Sequence, residues 1–372
     1  MQRTRPPFRA DEVGSLLRPP RIKEARAKLE KGEIKPEELR RIEDMEIEKV
    51  VHKQQQIGLK LATDGEFRRS WWHFDFLSHL TGCELYHPET GIQFAGVQTR
   101  HDNVRVIGKV DFPDDHPMLD HFRFLKKHCD VAGVTAKMTI PSPAVLHFRG
   151  GRNAISKDVY PDLEPFFEDL AKTYRKAVKA FYDAGCRYLQ FDDTVWAYLC
   201  SQDELEKVRK RGENPDHFQE TYARVINYAI AERPSDMVIT THVCRGNFRS
   251  TWISSGGYEP VAETLLGRIS YDGYFLEYDS ERAGGFEPLR FLPKGNKVVV
   301  VGVITSKFGE LESKDAVMAR MKEAAKFVDL DQLAISPQCG FASTEEGNIL
   351  SEDEQWAKLK LAVDVAQELW GK

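Results

Sequence analysis

The stretch Met237-Val-Ile-Thr-Thr-His-Val-Cys244 is a short apolar run that ends in an imidazole and a thiol. A second run, Lys297-Val-Val-Val-Val-Gly-Val303, has the same apolar character. Short continuous runs of this kind are typical of parallel strands that are covered on both faces. Together they indicate a parallel α/β fold with reactive side chains at the strand ends.

Working outward from this stretch, we predict eight strands, most of them separated by enough residues for a helix. In chain order they cover residues 12–16, 60–64, 134–140, 188–192, 237–242, 274–277, 297–303 and 333–336. The clearest helices are residues 36–57, residues 161–184 and a last helix that begins with the capping box Ser351-Glu-Asp-Glu354. Strand–helix alternation repeated eight times predicts an α/β fold of the (β/α)8 TIM-barrel class.

Residues 68–132, between the second and third predicted strands, do not fit this repeat. They contain Gly/Pro-rich turns, and residues 96–110 alternate in the manner of a β-hairpin. We expect an insertion over one mouth of the barrel. Because no linker or low-complexity tract divides the chain, residues 1–372 are predicted to form one catalytic domain.

Charge and the distribution of apolar residues argue against nucleic acid and membranes as partners. The 53 Lys and Arg residues face 58 Asp and Glu residues, for a net charge of −5, so the basic excess of nucleic-acid binders is missing. No apolar run approaches the roughly 20 residues that span a bilayer, and the N-terminal residues lack the apolar segment of a secretory signal. We expect a cytoplasmic protein that acts on small molecules, and its oligomeric state is left open.

Reactive side chains follow five of the eight predicted strands. Active sites of parallel barrels form at the carboxyl ends of the strands, so these side chains should meet at one rim. They are Asp64 and Glu66 after the second strand, Asp192 and Asp193 at the fourth, His242 and Cys244 at the fifth, Glu277 at the sixth, and Cys339 after the eighth.

One nitrogen, two sulfurs and one oxygen are offered by His242, Cys244, Glu277 and Cys339. This donor set suits Zn²⁺ better than Mg²⁺ or Ca²⁺. A carboxylate ligand is displaced more readily than a third thiolate, which leaves a position for an incoming thiol, and zinc favours the thiolate form of that thiol. Each residue alone is more often a cap, an ion pair or a packed turn. Their convergence on one rim is what predicts a catalytic zinc site.

Several short motifs distributed along most of the chain resemble those of the cobalamin-independent methionine synthase family. They are Val13-Gly14-Ser15, Asp64-Gly65-Glu66, Gln190-Phe191-Asp192-Asp193, His242-Val243-Cys244, Glu277 and Pro337-Gln338-Cys339-Gly340. The resemblance implies that the four residues above bind zinc and that a zinc-bound homocysteine thiolate accepts a methyl group, giving methionine. It also implies that Gly14 and Ser15 meet the carboxylate of the amino acid, and that Glu66 and Asp192 hold its ammonium group.

The methyl-donor side of the resemblance is less complete. Full-length members of the family have two barrels and this chain has room for one, so it resembles a shorter branch whose donor is a methyl-folate or a methyl-corrinoid. An aromatic residue of the family's folate site aligns with Phe148, which could stack on a pterin. Lys307 stands where the family has a proton-donating histidine and could serve as the general acid if its pKa is suitable. Tyr198 stands at the spacing of a family glutamate near the pterin.

Two further groups of side chains have two interpretations each. Arg100, His101 and Arg105 could meet an anionic donor, although a solvated strand edge is the favoured interpretation. The aromatic run Trp71–Phe76 is predicted to pack beneath the insertion, and the alternative is that it walls the substrate pocket.

Three other functions remain open on the sequence alone. A zinc-dependent alkyltransferase of the epoxide:coenzyme M type would keep the zinc thiolate, but a sulfonate thiol should not favour Glu66 and Asp192 beside it. A metal-free decarboxylase resembling uroporphyrinogen decarboxylase would not need His242, Cys244 and Cys339. A non-catalytic zinc- or folate-binding barrel would fit the missing histidine, and an assay for methionine formation would identify it.

Overall fold

The computed structural model of the chain describes residues 3–89, 92–94, 96–99 and 102–371. Within these ranges the strands are β1 (Leu61–Ala62), β2 (Thr81–Tyr86), β3 (Gln93–Phe94), β4 (Val97–Gln98), β5 (Asn103–Asp111), β6 (Thr135–Pro141), β7 (Tyr188–Asp193), β8 (Val238–Val243), β9 (Gly273–Glu277), β10 (Val298–Ile304) and β11 (Leu333–Pro337).

The principal sheet is a curled, parallel, seven-stranded half-barrel of the TIM-barrel-like type. Its strand order is β1-β6-β7-β8-β9-β10-β11, so neighbours in the sheet follow one another in the chain once the insertion strands are set aside. Every pairing in it is parallel. Seven of the eight predicted strands are confirmed, and the fully buried β8 and β10 correspond to the two apolar runs, residues 237–244 and 297–303.

The first predicted strand, residues 12–16, is not a strand in the structure. This segment lies between β11 and β1, where Ala10 forms a single parallel bridge to Ile335 and the Leu16 N–H donates to the Gly65 carbonyl. The ladder is interrupted because the Thr63 hydroxyl, rather than a backbone N–H, donates to the carbonyl of Gly14. The prediction of eight regular strands was therefore wrong at this position.

The helices begin and end close to their predicted positions. Helix α6 buries an apolar face that includes Phe166, Leu170, Tyr174 and Phe181, as its 3.6-residue spacing predicts. The predicted capping box at the last helix is confirmed. The helices are α1 (Pro20–Glu30), α2 (Pro36–Gln56), α3 (Phe74–Leu77), α4 (Pro117–Ala132), α5 (Pro143–Phe148), α6 (Leu163–Asp183), α7 (Val195–Tyr198), α8 (Gln202–Lys210), α9 (Phe218–Ile230), α10 (Glu259–Ala262), α11 (Lys314–Ala324) and α12 (Glu352–Trp370). In the described part of the chain, none of them is long and apolar enough to cross a membrane.

Two antiparallel strand pairs and α4 lie between β1 and β6, where the insertion was predicted. Strand β5 pairs with β2, and β3 pairs with β4. The strands described within residues 96–110 are thus paired with other segments, because the alternation there belongs to one amphipathic strand whose Val104, Val106 and Val110 are buried. Arg100 and His101 lie outside the described residues. The limits of the insertion, residues 68–132, remain a prediction.

The interior of the half-barrel is polar beneath the predicted site. Lys137 donates to Asp11 Oδ1 at 3.1 Å, and the Tyr188 hydroxyl donates to Asp11 Oδ2 at 2.9 Å. Both ion-pair partners are fully buried. Burial raises the pKa of the neighbouring Glu12 to about 8. These contacts hold the N-terminal segment against β6 and β7 and so support the loop that carries Gly14 and Ser15.

Candidate metal centre and active site

The carboxyl ends of β8, β9 and β11 bring the four predicted ligands to one rim. His242 lies in β8 and Cys244 directly follows it, Glu277 is the last residue of β9, and Cys339 lies two residues beyond β11. Ligand atoms of His242, Glu277 and Cys339 all lie within 4.8 Å of one another. The Sγ atoms of Cys244 and Cys339 are 3.6 Å apart. All four side chains therefore meet in one buried cluster.

Backbone N–H groups fix the orientation of two of these side chains. The Arg245 N–H donates to Glu277 Oε1 at 3.0 Å, and the Gly246 N–H donates to Cys244 Sγ at 3.3 Å. Both donors lie in the segment that follows β8. Such contacts to ligand atoms are typical of built metal sites, where they set ligand direction and basicity.

The pKa values of these side chains are shifted, as expected where protons and a metal cation compete for the same ligand atoms. Burial lowers the pKa of His242, but Asp192, at 3.6 Å from Nδ1, and the Cys339 sulfur raise it to about 9. A hydrogen bond from Cys244 lowers the pKa of Cys339, and the same contact raises that of Cys244. Burial raises the pKa of Glu277.

The donor set also fits zinc in its chemistry. An imidazole, two sulfurs and a carboxylate are the ligands that borderline-soft Zn²⁺ accepts, whereas Mg²⁺ and Ca²⁺ take oxygen. Glu277 Oε2 is buried and has no hydrogen-bond partner among the residues that the structure describes. An unpaired carboxylate oxygen at zero exposure is costly unless a cation or a donor meets it, which is the situation a metal would relieve.

A cleft of about 520 Å³, hereafter the metal cleft, opens over this cluster. Its wall combines three of the four candidate ligands with three residues that were predicted to bind the amino acid. These are His242, Cys244 and Cys339 together with Ser15, Glu66 and Asp192.

Glu66 reaches the metal cleft from a tight turn after β1. Gly65 and Glu66 both have left-handed backbone, with φ of 65° and 60°, a conformation that costs a non-glycine residue about 1–3 kcal/mol. Its Oε1 accepts from the Thr139 hydroxyl at 2.8 Å and lies 3.4 Å from Arg69. Its Oε2 is buried and has no partner among the described residues. Burial raises the pKa of this carboxyl group. Glu66 therefore offers one unpaired oxygen to a ligand.

Asp192 is the second carboxylate in the wall, and it is held by β7. Its Oδ1 accepts from Gln190 Nε2 at 2.7 Å. The sequence alone also allowed Asp192 to cap a helix. In the structure, Asp193 instead accepts a hydrogen bond from the backbone N–H of Val195 at 2.8 Å. Asp192 is thereby left beside His242 and the cleft.

The segment that contains Gly14 and Ser15 is packed so closely that neither Gly14 nor Gly340 has room for a side chain. A Cβ atom at Gly340 would lie 2.0 Å from Ser15 Oγ, and one at Gly14, whose φ is 151°, would lie 2.7 Å from Thr139. The two glycines therefore allow the N-terminal segment to pass closely between β6 and the loop after β11. Ser15 is brought to the cleft wall by this close packing.

Phe148 lies outside the metal cleft. It ends α5 and stacks on Tyr198, with ring centroids 5.5 Å apart and an interplanar angle of 26°. Both rings line a neighbouring cleft of about 730 Å³, hereafter the aromatic cleft. Arg149 lines both clefts, so the two open side by side.

Lys307 is fully buried rather than a surface lysine. Its ammonium donates to the Gly246 and Thr251 carbonyls at 3.0 and 3.2 Å and to Asn247 Oδ1 at 3.2 Å. It does not line the metal cleft among the described residues. The geometry favours a positioning role, in which Lys307 holds the loop that follows Cys244.

Several wall residues were not predicted from the sequence. The aromatic run after Glu66 gave the one usable signal, because Trp71 and Trp72 line the metal cleft, as the alternative interpretation of that run required. Arg105 is engaged elsewhere, paired with Glu84 at 2.5 Å, which agrees with a strand edge. No spacing or motif indicated the others, which include Phe94, Arg149, Thr194 and Asn247.

Comparisons with known proteins identify the family of the chain. The family model described as the catalytic domain of cobalamin-independent synthase matches residues 8–368. YxjG of Bacillus subtilis (strain 168), an uncharacterized protein, is 52% identical over 371 residues, which are 100% of this chain and 97% of that protein. The crystal structure of a putative vitamin-B12 independent methionine synthase from Listeria monocytogenes has a TM-score of 0.80 and 46% identity, with 100% of each chain covered.

A structural likeness without close sequence identity supports the fold as well. A B12-independent methionine synthase from Shewanella sp. W3-18-1, in complex with selenomethionine, has a TM-score of 0.68 at 20% identity, with 97% of each chain covered. Because the family model covers nearly the whole chain and the Listeria protein is similar from end to end, the chain belongs to the cobalamin-independent methionine synthase family.

Proposed function

We propose that the protein is a zinc-dependent methyltransferase that moves a methyl group from a methyl-folate or methyl-corrinoid donor to the thiol of homocysteine, giving methionine. The observation that carries the proposal is the meeting of His242, Cys244 and Cys339 with Glu66 and Asp192 in one cleft. The wall of that cleft therefore combines sulfur and nitrogen ligand atoms with two carboxylates suited to an ammonium group.

Zinc would be held by His242, Cys244, Glu277 and Cys339. When bound, it supplies a cation that stabilises the thiolate form of a substrate thiol near neutral pH. The chain's own contribution is to fix the ligand directions through the backbone N–H groups of Arg245 and Gly246. His242 must be neutral to act as a ligand, so its proton leaves when the metal binds.

The amino-acid end of the substrate is bound by the carboxylates. The unpaired oxygen of Glu66 and the neighbouring Asp192 can both accept hydrogen bonds from an ammonium group, and such charge-assisted bonds are stronger than neutral ones. Ser15, held close to Gly340, lies in the same wall and is our candidate for the carboxylate end, together with Gly14. An amino acid held in this way would present its side-chain thiol to the metal end.

Methyl transfer is an in-line displacement. The substrate sulfur forms a bond to the methyl carbon while the bond from that carbon to the donor atom breaks, and the electron pair stays on the donor atom. Holding thiol and donor in adjoining clefts lowers the entropic part of the barrier. A leaving amine must gain a proton. Because Lys307 has three acceptors and does not line the metal cleft among the described residues, we assign that proton to solvent rather than to Lys307.

The donor is proposed to occupy the aromatic cleft. Phe148 and Tyr198 are stacked there, and a flat heterocycle such as a pterin could add to the stack. The cleft adjoins the metal cleft at Arg149, so a methyl group carried by a ligand in one can approach a sulfur in the other.

The alternative functions are less well supported. A coenzyme M thiol carries a sulfonate, which Glu66 and Asp192 would repel. A metal-free decarboxylase leaves the buried sulfur pair and the unpaired Glu277 oxygen without a role. The Shewanella methionine synthase of similar fold is in complex with selenomethionine, an analogue of the product that we propose here.

The experiment that tests the proposal is an activity screen of the purified, zinc-loaded protein. Homocysteine is combined with 5-methyltetrahydrofolate, its triglutamate or methylcobalamin, and methionine is quantified by mass spectrometry. We expect methionine from at least one donor, and none from the Cys339→Ser variant. Zinc-loaded protein that binds homocysteine but forms no methionine with any donor would instead identify a non-catalytic barrel.

A further inference from the structure

Arg149 lies at the junction of the two clefts. In the part of the chain that the structure describes, it is the one residue that lines both the metal cleft and the aromatic cleft. It directly follows α5, and its side chain is half-buried. The Arg149 side chain therefore borders both the space proposed for the methyl donor and the space above the candidate metal ligands.

The charge of Arg149 lacks an anionic partner in the described structure. Among residues 3–89, 92–94, 96–99 and 102–371, no carboxylate forms an ion pair with it, and its buried Nε has no hydrogen-bond acceptor. Its Cζ lies 5.3 Å from the centroid of the Tyr198 ring. A cation–π contact replaces only part of the hydration that a half-buried guanidinium loses.

The other cations of the aromatic cleft are matched by carboxylates. Lys207 lies 2.5 Å from Glu204, and Arg211 lies 3.1 Å from Glu213. Arg211 also donates to the carbonyls of Phe148 and Arg149. The contrast singles out Arg149 as the cation whose partner is to be supplied from outside the chain.

The buried imidazole of His73 lies within electrostatic range of Arg149, and it does not change the charge at the junction between the clefts. Neither ring nitrogen of His73 has a hydrogen-bond partner among the described residues. Burial, and then the charge of Arg149, lower the pKa of His73 well below its ordinary value, so the ring is neutral. The junction between the clefts thus keeps its single positive charge.

We propose that Arg149 is a specificity-determining residue that selects the methyl donor by charge. It admits donors that are neutral or anionic beside the reacting carbon, and it excludes permanently cationic donors, the sulfonium and quaternary ammonium compounds. This rests on the proposed function, since it places the methyl donor in the aromatic cleft. A second positive charge at the junction would be repelled by this guanidinium.

The same guanidinium can assist the displacement. As the bond from the methyl carbon to the donor atom breaks, the electron pair remains on that atom, and its electron density rises. Hydrogen bonds donated by the Arg149 guanidinium stabilise this density without transferring a proton. The proton that a leaving amine needs still comes from water.

Calorimetric titration of the zinc-loaded protein tests the inference through binding. The anionic and neutral probes are 5-methyltetrahydrofolate and methylcobalamin, and the cationic probe is trimethylsulfonium. The variants are Arg149→Met and Arg149→Lys, with Lys207→Met as a control that removes a paired cation from the same cleft. At least one of the first two probes should bind the wild type. Arg149→Met should weaken that binding about tenfold or more, Arg149→Lys should restore part of it, and Lys207→Met should change it less than about threefold.

Trimethylsulfonium should bind the Arg149→Met variant at least about tenfold more tightly than it binds the wild type. The inference would be overturned if Arg149→Met and Lys207→Met had equal effects, or if the wild type and Arg149→Met bound trimethylsulfonium equally. It would also be overturned if neither 5-methyltetrahydrofolate nor methylcobalamin bound. Methionine formation from a sulfonium donor by the wild type would overturn the inference and the proposed donor, and would leave methyl transfer to homocysteine standing. The expected binding pattern without methionine from any donor would overturn the proposed methyl transfer and leave Arg149 as a residue that selects ligands of the aromatic cleft by charge.

Discussion

The metal cleft and the aromatic cleft adjoin at Arg149 but are built in different ways. The metal cleft is lined from strand ends, and its groups are fixed by backbone N–H donors while two carboxylate oxygens, on Glu66 and Glu277, stay unpaired among the described residues. The aromatic cleft is lined mainly from helices and loops, and its cations other than Arg149, namely Lys207 and Arg211, are paired within the chain.

The difference indicates what each cleft demands of its ligand. Metal and thiol chemistry needs several atoms held in fixed directions, which parallel strands provide through register, as in the pairing of Asp192 with His242 on adjacent strands. A flat donor needs mainly a face and a charge, which a stacked ring and the guanidinium of Arg149 provide. Substitutions in the metal cleft should therefore have large effects, and those in the aromatic cleft modest ones.

The largest effect is expected from loss of a metal ligand. Cys339→Ser or His242→Ala should weaken zinc binding by more than about a hundredfold and abolish methyl transfer, because losing a ligand exceeds the tenfold to hundredfold cost of losing a residue that only orients one. Zinc content is measured by mass spectrometry and folding by circular dichroism. The matched control, Cys83→Ser in β2, should retain zinc. Full zinc occupancy in both ligand variants contradicts the assignment.

A smaller effect is expected at the proposed ammonium subsite. Glu66→Gln should weaken homocysteine binding about tenfold while zinc content stays at one per chain, because the amide loses the charge-assisted bond but keeps the shape. Calorimetry and metal analysis on the same sample separate the two. Glu43→Gln, which alters a buried carboxylate that pairs with Arg68, serves as control. If Glu66→Gln also lost zinc, the proposed separation between the ammonium subsite and the metal subsite would be wrong.

Lys307 extends the comparison to a buried side chain that does not line the metal cleft among the described residues. Lys307→Met leaves three oxygen acceptors without this donor, two of them in buried contacts, so the free energy of unfolding should fall by about 1–3 kcal/mol. The pH profile of kcat should keep its shape. Lys358→Met removes an equally buried lysine bonded to Glu310 and Glu312 and should cost similar stability. A loss of kcat of about a hundredfold or more together with loss of the alkaline limb would show that Lys307 is the general acid after all.

The smallest effect is expected at the aromatic cleft. Phe148→Leu removes one member of the Phe148–Tyr198 stack, and the KM for the methyl donor should rise only a few-fold, since such ring contacts contribute about 0.5–1.5 kcal/mol. The KM for homocysteine and the zinc content should not change. If the donor KM is unaffected while that of homocysteine rises, the donor does not occupy this cleft.

Sequence predicted the strands well because buried parallel strands leave continuous apolar runs, as in β8 and β10. It failed at residues 12–16, because one bridge and a threonine hydroxyl replace the ladder there, and neither leaves a pattern in the sequence. It placed His242, Cys244, Glu277 and Cys339 together because strand ends converge whatever the loops do. It did not find Arg149, since a missing counter-charge is visible only when the surrounding residues are known.

X-ray absorption at the zinc edge tests the central claim most directly. The resting protein should show two sulfur atoms at about 2.3 Å and two nitrogen or oxygen atoms at about 2.0–2.2 Å. After homocysteine is added, we expect three sulfur atoms and the loss of one light ligand, as the thiol replaces Glu277. Absence of bound zinc, or a sulfur count that stays the same when the thiol binds, would contradict the account.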